Sequence, residues 1–500
     1  MKQNIDGMNP KDIKIPKKLD DAIDIIHSLF QNDQTIRYRF VQNRHNPNVR
    51  FCLVVVDAMV NSRIINENII RPLAESEILT PGAGLFDAVY TQTLTTIELA
   101  EAENFGDALP SLLMGDTLLF IDGCPRCVGI DTKGYSARSV SEPPGEEILK
   151  GPREGFTETI LPNCSLIRRK IQTHHLKFEF SRCGKSTETQ VCLCYIDNIA
   201  DPKLVERMRR KIDEYDLGSM LDSNYLAEVS HLGALSPFKT VATTERPDVV
   251  AAKLLEGRVA VLVDGTPVVI TAPTLFIELF QTSEDYYVNY IYASFSRLLR
   301  LVGFFLCITV PALYVSMVTF SQEMLPTKLI VSISNARQGV PFPTVLEAFA
   351  LLIIFDILKE TGLRGTTGIG SALGIVGSLV LGQAAVEAKF ISAPIVIVIA
   401  FSGVTSILVP KLSGAILFCK YTILTATALL GIYGFSLALL AIFLHLFSLE
   451  SFGVPYLAYS SVSAHRTLKD SPVRSPWTVM RRRPFFASRS NQIRKGRRHE

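Results

Sequence analysis

The sequence predicts an α/β soluble N-terminal region with two related subdomains, followed by an all-α transmembrane domain of about four spans. Charged residues recur every few positions as far as Arg300, whereas long uncharged stretches dominate from 301 to 449. Hydrophobic residues make up 48% of the chain, and the excess lies in this second part. The predicted segments are an N-terminal extension at 1–44, a first α/β subdomain at 45–145, a second α/β subdomain at 155–280, a transmembrane domain at 281–460 and a basic tail at 461–500.

The N-terminus and the cysteines favour a cytoplasmic location for the soluble region. The first residues, MKQNIDGMNPKDIKIPKK, lack the apolar core that a secretory signal requires. The nine cysteines are mostly isolated or lie in apolar, strand-like runs, as Cys52, Cys192 and Cys194 do. Free thiols in such runs behave as small hydrophobic groups. We therefore expect a cytoplasmic region without a disulfide framework.

Two sequence patterns recur in the soluble region at nearly the same offset. FCLVVVDAMVN at 51–61 aligns with VCLCYIDNIAD at 191–201, an offset of 140 residues, and GDTLLFIDG at 115–123 aligns with GRVAVLVDG at 257–265, an offset of 142. Each pattern contains an apolar strand that ends in Asp, and chance similarity of apolar strands is the alternative to a duplication. A duplication predicts two units of similar topology, each a small mixed sheet covered by helices. The residues that it makes equivalent are Asp57 with Asp197 and Asp122 with Asp264.

Four segments of the second part are long and apolar enough to cross a bilayer, which takes about 20 residues. A further segment at 345–358 is too short and contains Glu347 and Asp356, so it is either re-entrant or interfacial. The last apolar run exceeds the thickness of a bilayer core, so we expect it to tilt or to protrude. The predicted spans are 301–322, 365–386, 390–410 and 421–449.

The C-terminal tail is strongly basic, although the net charge of the chain is only +3. Residues 461–500 hold eleven Lys or Arg against Asp470 and Glu500. A basic segment after a span favours the cytoplasmic side and the anionic headgroups of membrane lipid. Nucleic acid is the less favoured partner for this charge, and we expect none to bind. With both termini in the cytoplasm the number of crossings is even, which agrees with four spans.

No constellation of residues indicates catalysis, so we predict that the chain is not an enzyme and needs no metal or cofactor. Cys124 and Cys127 have the spacing of a redox pair, but they follow an Asp-Gly turn and no second CxxC occurs. The Gly-Lys-Ser segment at 184–186 lacks the first glycine of a phosphate-binding loop. His174 and His175 have no partner ligands at metal spacing.

Small residues recur at every fourth position in the second predicted span. Such a stripe lets helix backbones approach closely, either within one monomer or between subunits around an axis. Packing between subunits would leave the opposite face, or the polar end of the helix, in contact with water. The stripe consists of Gly370, Gly374, Ser378 and Gly382, and the polar end consists of Gln383 and Glu387.

Glu347 and Asp356 are candidate polar residues at membrane depth. Nine positions separate them, so they lie on roughly opposite faces of a helix, and at most one of them can easily face a shared axis. Ionisable groups inside a membrane mark functional sites, whereas at the interface both carboxylates are merely solvated. Lys420, at the start of the last span, is expected to extend its amine toward the interface.

Several motifs, spread over three quarters of the chain, carry a resemblance to a known family. They are GPREGFTE at 151–158, LIRR at 166–169, EDYY at 284–287, SFSRLLR at 294–300, GVPFP at 339–343, LKETG at 358–362, LVLGQAAVEA at 379–388 and SFGVPYLAY at 451–459. On these residues the chain resembles the GerA family of spore germination proteins, A-subunit type. Two segments depart from the family pattern: 364–371 lacks the usual proline, and 410–414 is short.

The resemblance implies a subunit of a nutrient germinant receptor, multi-pass in the inner membrane of the dormant spore. It implies two partners, a transporter-like B subunit and a C-subunit lipoprotein, and a homo-oligomeric ring whose membrane part conducts cations to start germination. A sporulation-expressed paralogue that assists ion or dipicolinate release is the close alternative. A secondary transporter, for which inverted membrane repeats are typical, and a membrane-anchored scaffold are alternatives of another class. No nutrient-binding residue is assigned.

Overall fold

The computed structural model of the chain describes residues 10–82, 84–134, 146, 148, 150–229, 236–364, 382–457, 470, 472–478, 480, 483 and 491. The chain divides into two compact units. The first comprises Met1–Leu232, Val241–Pro273 and Arg481–Glu500, and the second comprises Gly233–Thr240 and Thr274–Met480. The α/β part therefore gives way to the helical part between Pro273 and Thr274.

The first unit contains two five-stranded sheets with the same strand order. The first sheet contains β1 (Ile36–Gln42), β2 (Arg50–Val56), β3 (Leu99–Ala102), β4 (Thr117–Ile121) and β5 (Cys127–Ile130). The second contains β6 (Leu176–Cys183), β7 (Thr189–Ile196), β8 (Ala242–Thr244), β9 (Val259–Val263) and β10 (Val269–Ala272). Their orders are β1-β2-β4-β5-β3 and β6-β7-β9-β10-β8.

Neighbouring strands are antiparallel throughout both sheets, so the expectation of mixed sheets was wrong. Short connections follow β1 and β4 in the first sheet and β6 and β9 in the second. A strand that returns through a short connection pairs antiparallel with the strand before it. The sequence patterns located the central strands, but they did not indicate whether neighbouring strands run parallel or antiparallel.

Helices cover both sheets. Those of the first half are α1 (Leu19–Leu29), α2 (Ser62–Ile64), α3 (Arg71–Glu75), α4 (Leu85–Ala88) and α5 (Phe105–Met114), with π-helical turns at Ile65–Ile70 and Val89–Thr93. Those of the second half are α6 (Ile160–Lys170), α7 (Pro202–Asp213), α8 (Ser223–Val229) and α9 (Pro247–Leu255).

The first half begins before residue 45, because α1 and β1 lie within the segment 1–44 that the sequence assigned to an extension. Strand β1 reads IRYRFVQ, and most of its side chains are exposed or half-buried. It therefore lacks the continuous apolar run by which β2, its neighbour in the sheet, is evident from the sequence.

Backbone pairing makes the two halves equivalent, as the repeated patterns predict. The central strand pairs β2–β4 and β7–β9 have the same register, at offsets of 140 residues for the first strand and 142 for the second. Asp57 and Asp197 each follow the end of the equivalent strands β2 and β7. The facing residues are Phe51 with Ile121 in the first half and Val191 with Val263 in the second.

The second pair of repeated aspartates has the same role in each half. Asp122 accepts the backbone N–H of Leu19 at 3.1 Å, where α1 begins, and Asp264 accepts that of Ile160 at 3.0 Å, where α6 begins. The first N–H groups of a helix have no partner within the helix, so each aspartate satisfies one of them from across the fold. This shared contact is independent support for the duplication.

The second unit contains long helices. They are α10 (Tyr290–Thr319), α11 (Thr327–Arg337), α12 (Thr344–Arg364), α13 (Ala393–Ile407) and α14 (Ser413–Ser448). Helix α10 packs along α12, α13 and α14, and a helical stretch at 382–387 precedes α13. The hydrophobic core of this unit includes Ile308 of α10, Leu352 of α12 and Ile423 of α14, all buried.

Among the described residues, two helices are long and apolar enough to cross a membrane, α10 and the segment 410–448 that contains α14. They overlap the first and last predicted spans, 301–322 and 421–449, and both begin before them. The third predicted span contains α13, which is apolar but has only 15 residues. Of the second predicted span, 365–381 lies outside the described residues. Helix α12 is longer than the predicted 345–358, with 21 residues.

Helix α14 is not continuous. At Gly431 the backbone has φ 61° and ψ −136°, which is not helical, and this divides the 36-residue segment in two. Residues with a side chain rarely adopt such a positive φ, so glycine is the residue that permits the break. The apolar segment is thus two helical pieces joined by a kink, and its expected tilt or protrusion in a bilayer stays a prediction.

Candidate functional site

Glu347, in the first turn of α12, is buried at the meeting point of three helices. Its Oε2 accepts hydrogen bonds from the backbone N–H of Ser392 at 2.9 Å and from the Ser392 hydroxyl at 2.8 Å. Ser392 directly precedes α13, so the carboxylate caps that helix. Arg337, the last residue of α11, places Nη2 at 3.5 Å from Glu347 Oε1. The carboxylate, only 1% exposed, is therefore compensated by a cation and a helix N-terminus.

Asp356, on the opposite side of α12, forms an ion pair with α14. Lys420 Nζ lies 2.9 Å from Asp356 Oδ1 and 3.0 Å from Oδ2. The Tyr421 hydroxyl donates to Asp356 Oδ2 at 2.8 Å. Lys420 is 4% exposed and points inward, so the expected extension of its amine toward the interface was wrong. The nearby carboxylate provides the charge compensation that the interface would otherwise have provided.

Smaller polar contacts connect α12 and α13 to their neighbours. Lys359 Nζ donates to the Ser406 hydroxyl at 3.2 Å, and the Ser402 hydroxyl donates to the carbonyl of Cys307 on α10 at 2.8 Å. The ring of Phe355 packs directly on Gly403, because a Cβ at that glycine would lie 2.1 Å from the ring. Such small-residue contacts and hydrogen bonds are typical of helices that pack within a membrane.

The predicted site residues thus separate into two groups. Glu347 and Asp356 lie on opposite faces of α12, as their spacing indicates, and each has partners on a different helix. Of the small-residue stripe only Gly382 lies within the described residues, in the stretch 382–387; Gly370, Gly374 and Ser378 lie outside them. In that same stretch Gln383 and Glu387 are exposed, and the Gln383 amide donates to the Glu387 carboxylate at 3.1 Å.

A second ionic cluster at the start of α10 was not predicted. Asp285 accepts from Arg297 Nε at 2.9 Å and from two nitrogens of Arg300 at 2.9 Å, and Arg297 Nη1 donates to Asp470 at 2.7 Å. Burial raises the pKa of the Asp285 carboxyl, but the hydrogen bonds and charges of Arg300 and Arg297 outweigh it and leave the pKa below its usual value. The signal was present in the sequence, because EDYY and SFSRLLR supply three of the four residues.

The motifs weighed for catalysis have structural positions. Cys127 lies in β5, where burial raises the pKa of its thiol to about 12, so it is a neutral group at physiological pH. The 184–186 segment forms the turn between β6 and β7. Among the described residues, no group of three or more His, Cys, Asp or Glu is placed to hold a metal ion.

Comparison with known proteins gives consistent results. The family model described as Bacillus/Clostridium GerA spore germination protein matches residues 24–486. Spore germination protein KA of Bacillus subtilis is 37% identical over 451 residues, which cover 90% of this chain and 83% of that protein. The uncharacterized membrane protein YfkQ of the same organism is also 37% identical, over 88% of this chain and 86% of its own.

A solved structure is also similar. The crystal structure of the N-terminal domain of the A subunit of the Bacillus megaterium spore germinant receptor GerK3 shares 30% sequence identity with this chain, with a TM-score of 0.42. The matched region covers 53% of this chain and 97% of the chain in that crystal structure. The family match extends through both compact units and includes the motifs on which the resemblance was based. The chain belongs to the GerA family of spore germination proteins.

Proposed function

We propose that this chain is the A-type subunit of a nutrient germinant receptor and forms, as a homo-oligomer, a cation channel that starts germination. The observation that carries the channel proposal is the Asp356–Lys420–Tyr421 cluster, because charged groups inside an apolar helical unit are expensive and mark ion or proton paths. The named relatives, among them spore germination protein KA, support the role in germination.

The proposed location is the spore inner membrane, with four spans and both termini in the cytoplasm. In chain order, the first proposed span lies in α10, the second and third are 365–386 and 390–410, and the fourth lies in α14. The polar partners of Glu347 and Asp356 favour a position for α12 within the helical unit rather than in solvent. A transporter-like B subunit and a C-subunit lipoprotein are the proposed partners.

The ion pair can be tested by cation release. Asp356→Asn leaves the Lys420 ammonium without its carboxylate, which in a buried position costs about 3–5 kcal/mol. We expect spores with this variant to fail to release cations on nutrient addition or to release them without nutrient. The charge exchange Asp356→Lys with Lys420→Asp should partly restore nutrient dependence. Lys328→Met, at an exposed lysine of α11, is the matched control and should behave like the wild type.

Receptor abundance in the spore membrane must be measured beside cation release. Normal, nutrient-dependent release at normal abundance in Asp356→Asn would remove this cluster from the mechanism. Purified oligomer in liposomes offers a second measurement, in which a change in basal cation flux separates a gating defect from a failure to bind nutrient. Loss of protein alone would assign the pair to folding.

The small-residue stripe is the proposed contact between subunits, beside the ion path. At such a contact, Leu in place of Gly374 or Ser378 would insert a large side chain between the helices, and overpacking of this kind costs about 1–3 kcal/mol per site. We expect a weaker oligomer and a shifted gate. Packing within one monomer predicts lower abundance with normal gating instead, and normal release at normal abundance in both variants would exclude the stripe from the mechanism.

A further inference from the structure

The two halves of the first unit are joined by a loop of the first half that lies on an edge strand of the second. Gln34, in the loop between α1 and β1, donates its backbone N–H to the carbonyl of Phe178 at 3.0 Å. Its side-chain Oε1 accepts the backbone N–H of Phe180 at 3.0 Å. Both partners belong to β6, which is at the edge of the second sheet. The loop therefore satisfies part of an otherwise open strand edge.

The surface that holds this loop consists of Arg168 of α6 with Lys177, Phe178 and Phe180 of β6, and we call it the socket. Arg168 of α6 forms an ion pair with Asp33 and donates to the Thr35 hydroxyl at 3.1 Å. Lys177 of β6 donates to the carbonyl of Leu29, the last residue of α1, at 2.9 Å. The Arg168 guanidinium also lies over the Phe178 ring, 4.9 Å from its centroid. Two buried cations therefore hold the first half, Arg168 at the loop and Lys177 at the end of α1.

The duplication places an equivalent socket on the first half. At offsets of 140 and 141 residues, His27, Arg37, Tyr38 and Phe40 correspond to Arg168, Lys177, Phe178 and Phe180. Their local contacts agree: the His27 ring stacks on Tyr38 at 4.2 Å, and Arg37 pairs with Asp57 at 3.0 Å, as Lys177 pairs with Asp197 at 3.5 Å.

This second socket is open. His27 and Arg37 are exposed, and the Phe40 side chain is 57% exposed. Strand β1 is at the edge of the first sheet and, among the described residues, pairs with β2 alone. His27, Arg37 and Tyr38 line one side of a cleft of about 720 Å³, and Gln34 and Phe180 of the contact between the halves line another side. An exposed strand edge beside an exposed aromatic side chain is a surface that native proteins usually cover.

The equivalent loop of the second half is residues 171–175, in which Thr173 takes the position of Asp33. The same turn forms in both loops, because the Thr35 N–H donates to Asp33 Oδ1 at 3.1 Å and the His175 N–H donates to Thr173 Oγ1 at 3.3 Å. The residue between them is Gln34 in the first loop and His174 in the second. The pKa of His174 is lowered to about 4, mainly by burial and to a smaller extent by the charges of His175 and Lys177.

A neutral His174 ring has a nitrogen that can accept a hydrogen bond, as Gln34 Oε1 does from Phe180. Within one chain, however, loop 171–175 makes no hydrogen bond or ion pair to β1 among the described residues. A second copy of the chain can provide the missing loop.

We propose that the contact between the halves is repeated between chains, so that loop 171–175 of one copy enters the cleft of the next copy and covers β1 at Tyr38 and Phe40. Such a contact uses different surfaces on the two partners, so it is heterologous and continues into a ring when its rotation closes. This inference rests on the proposed homo-oligomer and identifies the surface through which the α/β units of neighbouring subunits contact each other.

Photo-cross-linking of the full chain in native membranes tests this contact. A benzophenone amino acid in place of His174 should form a covalent dimer, and the linked peptide should contain β1 of a second, isotopically labelled copy. Phe40→Lys introduces a charge at the covered edge and should reduce the dimer yield roughly tenfold, equivalent to about 1.4 kcal/mol of contact free energy. Ile97→Lys, at a fully exposed apolar residue away from β1, should not change it. Hydrogen-exchange protection of β2 should be equal in both variants, which shows that the first sheet remains folded.

The outcomes distinguish this contact from the proposed function. An intact oligomer in which His174 links to another part of the chain, to another protein or to a small ligand would overturn the contact and leave the receptor proposal standing. A chain that is monomeric in the membrane would overturn both. An equal dimer yield in Phe40→Lys and Ile97→Lys would also overturn the contact.

Discussion

The Arg168–Asp33 ion pair provides a prediction at the scale of single residues. Both side chains are buried, with 1% and 0% exposure, so removal of one leaves the other charge without compensation. We expect Arg168→Met to destabilise the contact between the halves by about 3–5 kcal/mol. The measurement is hydrogen exchange at the amides of β6 in the full chain, which should become much faster near Phe180, whose N–H is bonded to Gln34.

Two controls test the cause of this destabilisation. Arg182→Met removes an exposed ion pair with Glu188, which is worth about 0–1 kcal/mol, and should leave exchange unchanged. The double variant Asp33→Leu with Arg168→Met removes both charges and should be less destabilised than the single variant. Equal exchange in Arg168→Met and the wild type would contradict a stabilising role for the socket.

Residue spacing predicted where Glu347 and Asp356 lie on their helix but not what they contact. A nine-residue separation determines opposite faces because the helical period is local. The partners Ser392 and Lys420 are 45 and 64 residues away, and they meet α12 only because α13 and α14 pack against it. Interfacial solvation therefore could not be excluded from the sequence, and the structure shows paired carboxylates instead.

At the scale of the secondary-structure element, Asp122 and Asp264 anchor the equivalent helices α1 and α6. We expect Asp122→Ala and Asp264→Ala each to destabilise its helix by about 1 kcal/mol, the usual effect of losing a capping side chain. Hydrogen exchange of the first turn of each helix is the measurement. Asp122→Ala should affect α1 and leave α6 unchanged, and the reverse should hold for Asp264→Ala. A spread of the effect to both helices would contradict independent capping.

The Asp122 anchor should also depend on pH. Burial raises the pKa of its carboxyl, but the hydrogen bond from Arg50, the Leu19 N–H and the Arg50 charge together leave the pKa below its usual value. A carboxyl whose pKa is lower in the folded state stabilises the fold above its unfolded pKa of about 4, and this stabilisation is lost as pH falls through the folded pKa. Protection of the α1 first turn should thus decline below about pH 4, and Asp122→Asn should remove this dependence.

The break in α14 is a second prediction at the scale of the element. Ala at residue 431 would take a strained backbone, which costs about 1–3 kcal/mol, and its Cβ would lie 2.9 Å from Phe320. We expect Gly431→Ala to lower the thermal midpoint of the detergent-solubilised protein. Gly414→Ala, in the first turn of α14 with no atom within 4 Å of the added Cβ, should leave the midpoint unchanged or slightly raised. Equal thermal midpoints for Gly431→Ala and the wild type would show that residue 431 can become helical without loss of stability.

At the scale of the whole molecule, four spans with two cytoplasmic ends can be tested by cysteine labelling. An impermeant thiol reagent applied to intact protoplasts should not modify Asp20→Cys or Ser490→Cys. It should modify Glu323→Cys, which lies just beyond the first span on the predicted outer side. The unaltered chain measures the background of its nine native thiols. Modification at 20 or 490 in intact protoplasts would refute this topology.

The sequence alone indicated the apolar second part of the chain, the equivalent central strands of its α/β part and the family that it resembles. Hydrophobic content and repeated patterns are local properties, so apolar runs and equal offsets indicate where strands and spans lie before any contact is known. The shared strand order of the two sheets agrees with those offsets. The antiparallel direction and the early start at α1 were not evident, because neither depends on an apolar run.

Only the tertiary structure decided which distant groups meet. The Asp356–Lys420 pair, the Arg168–Asp33 pair and the Gln34 contact with β6 join residues 64, 135 and 144 or more positions apart. Such pairs form because packing of apolar surface brings the helices and sheets together, and a buried charge then requires a partner within a few ångströms. The break at Gly431 has the same origin, since a glycine permits a positive φ but the packing of Phe320 and the surrounding helices determines where that freedom is used.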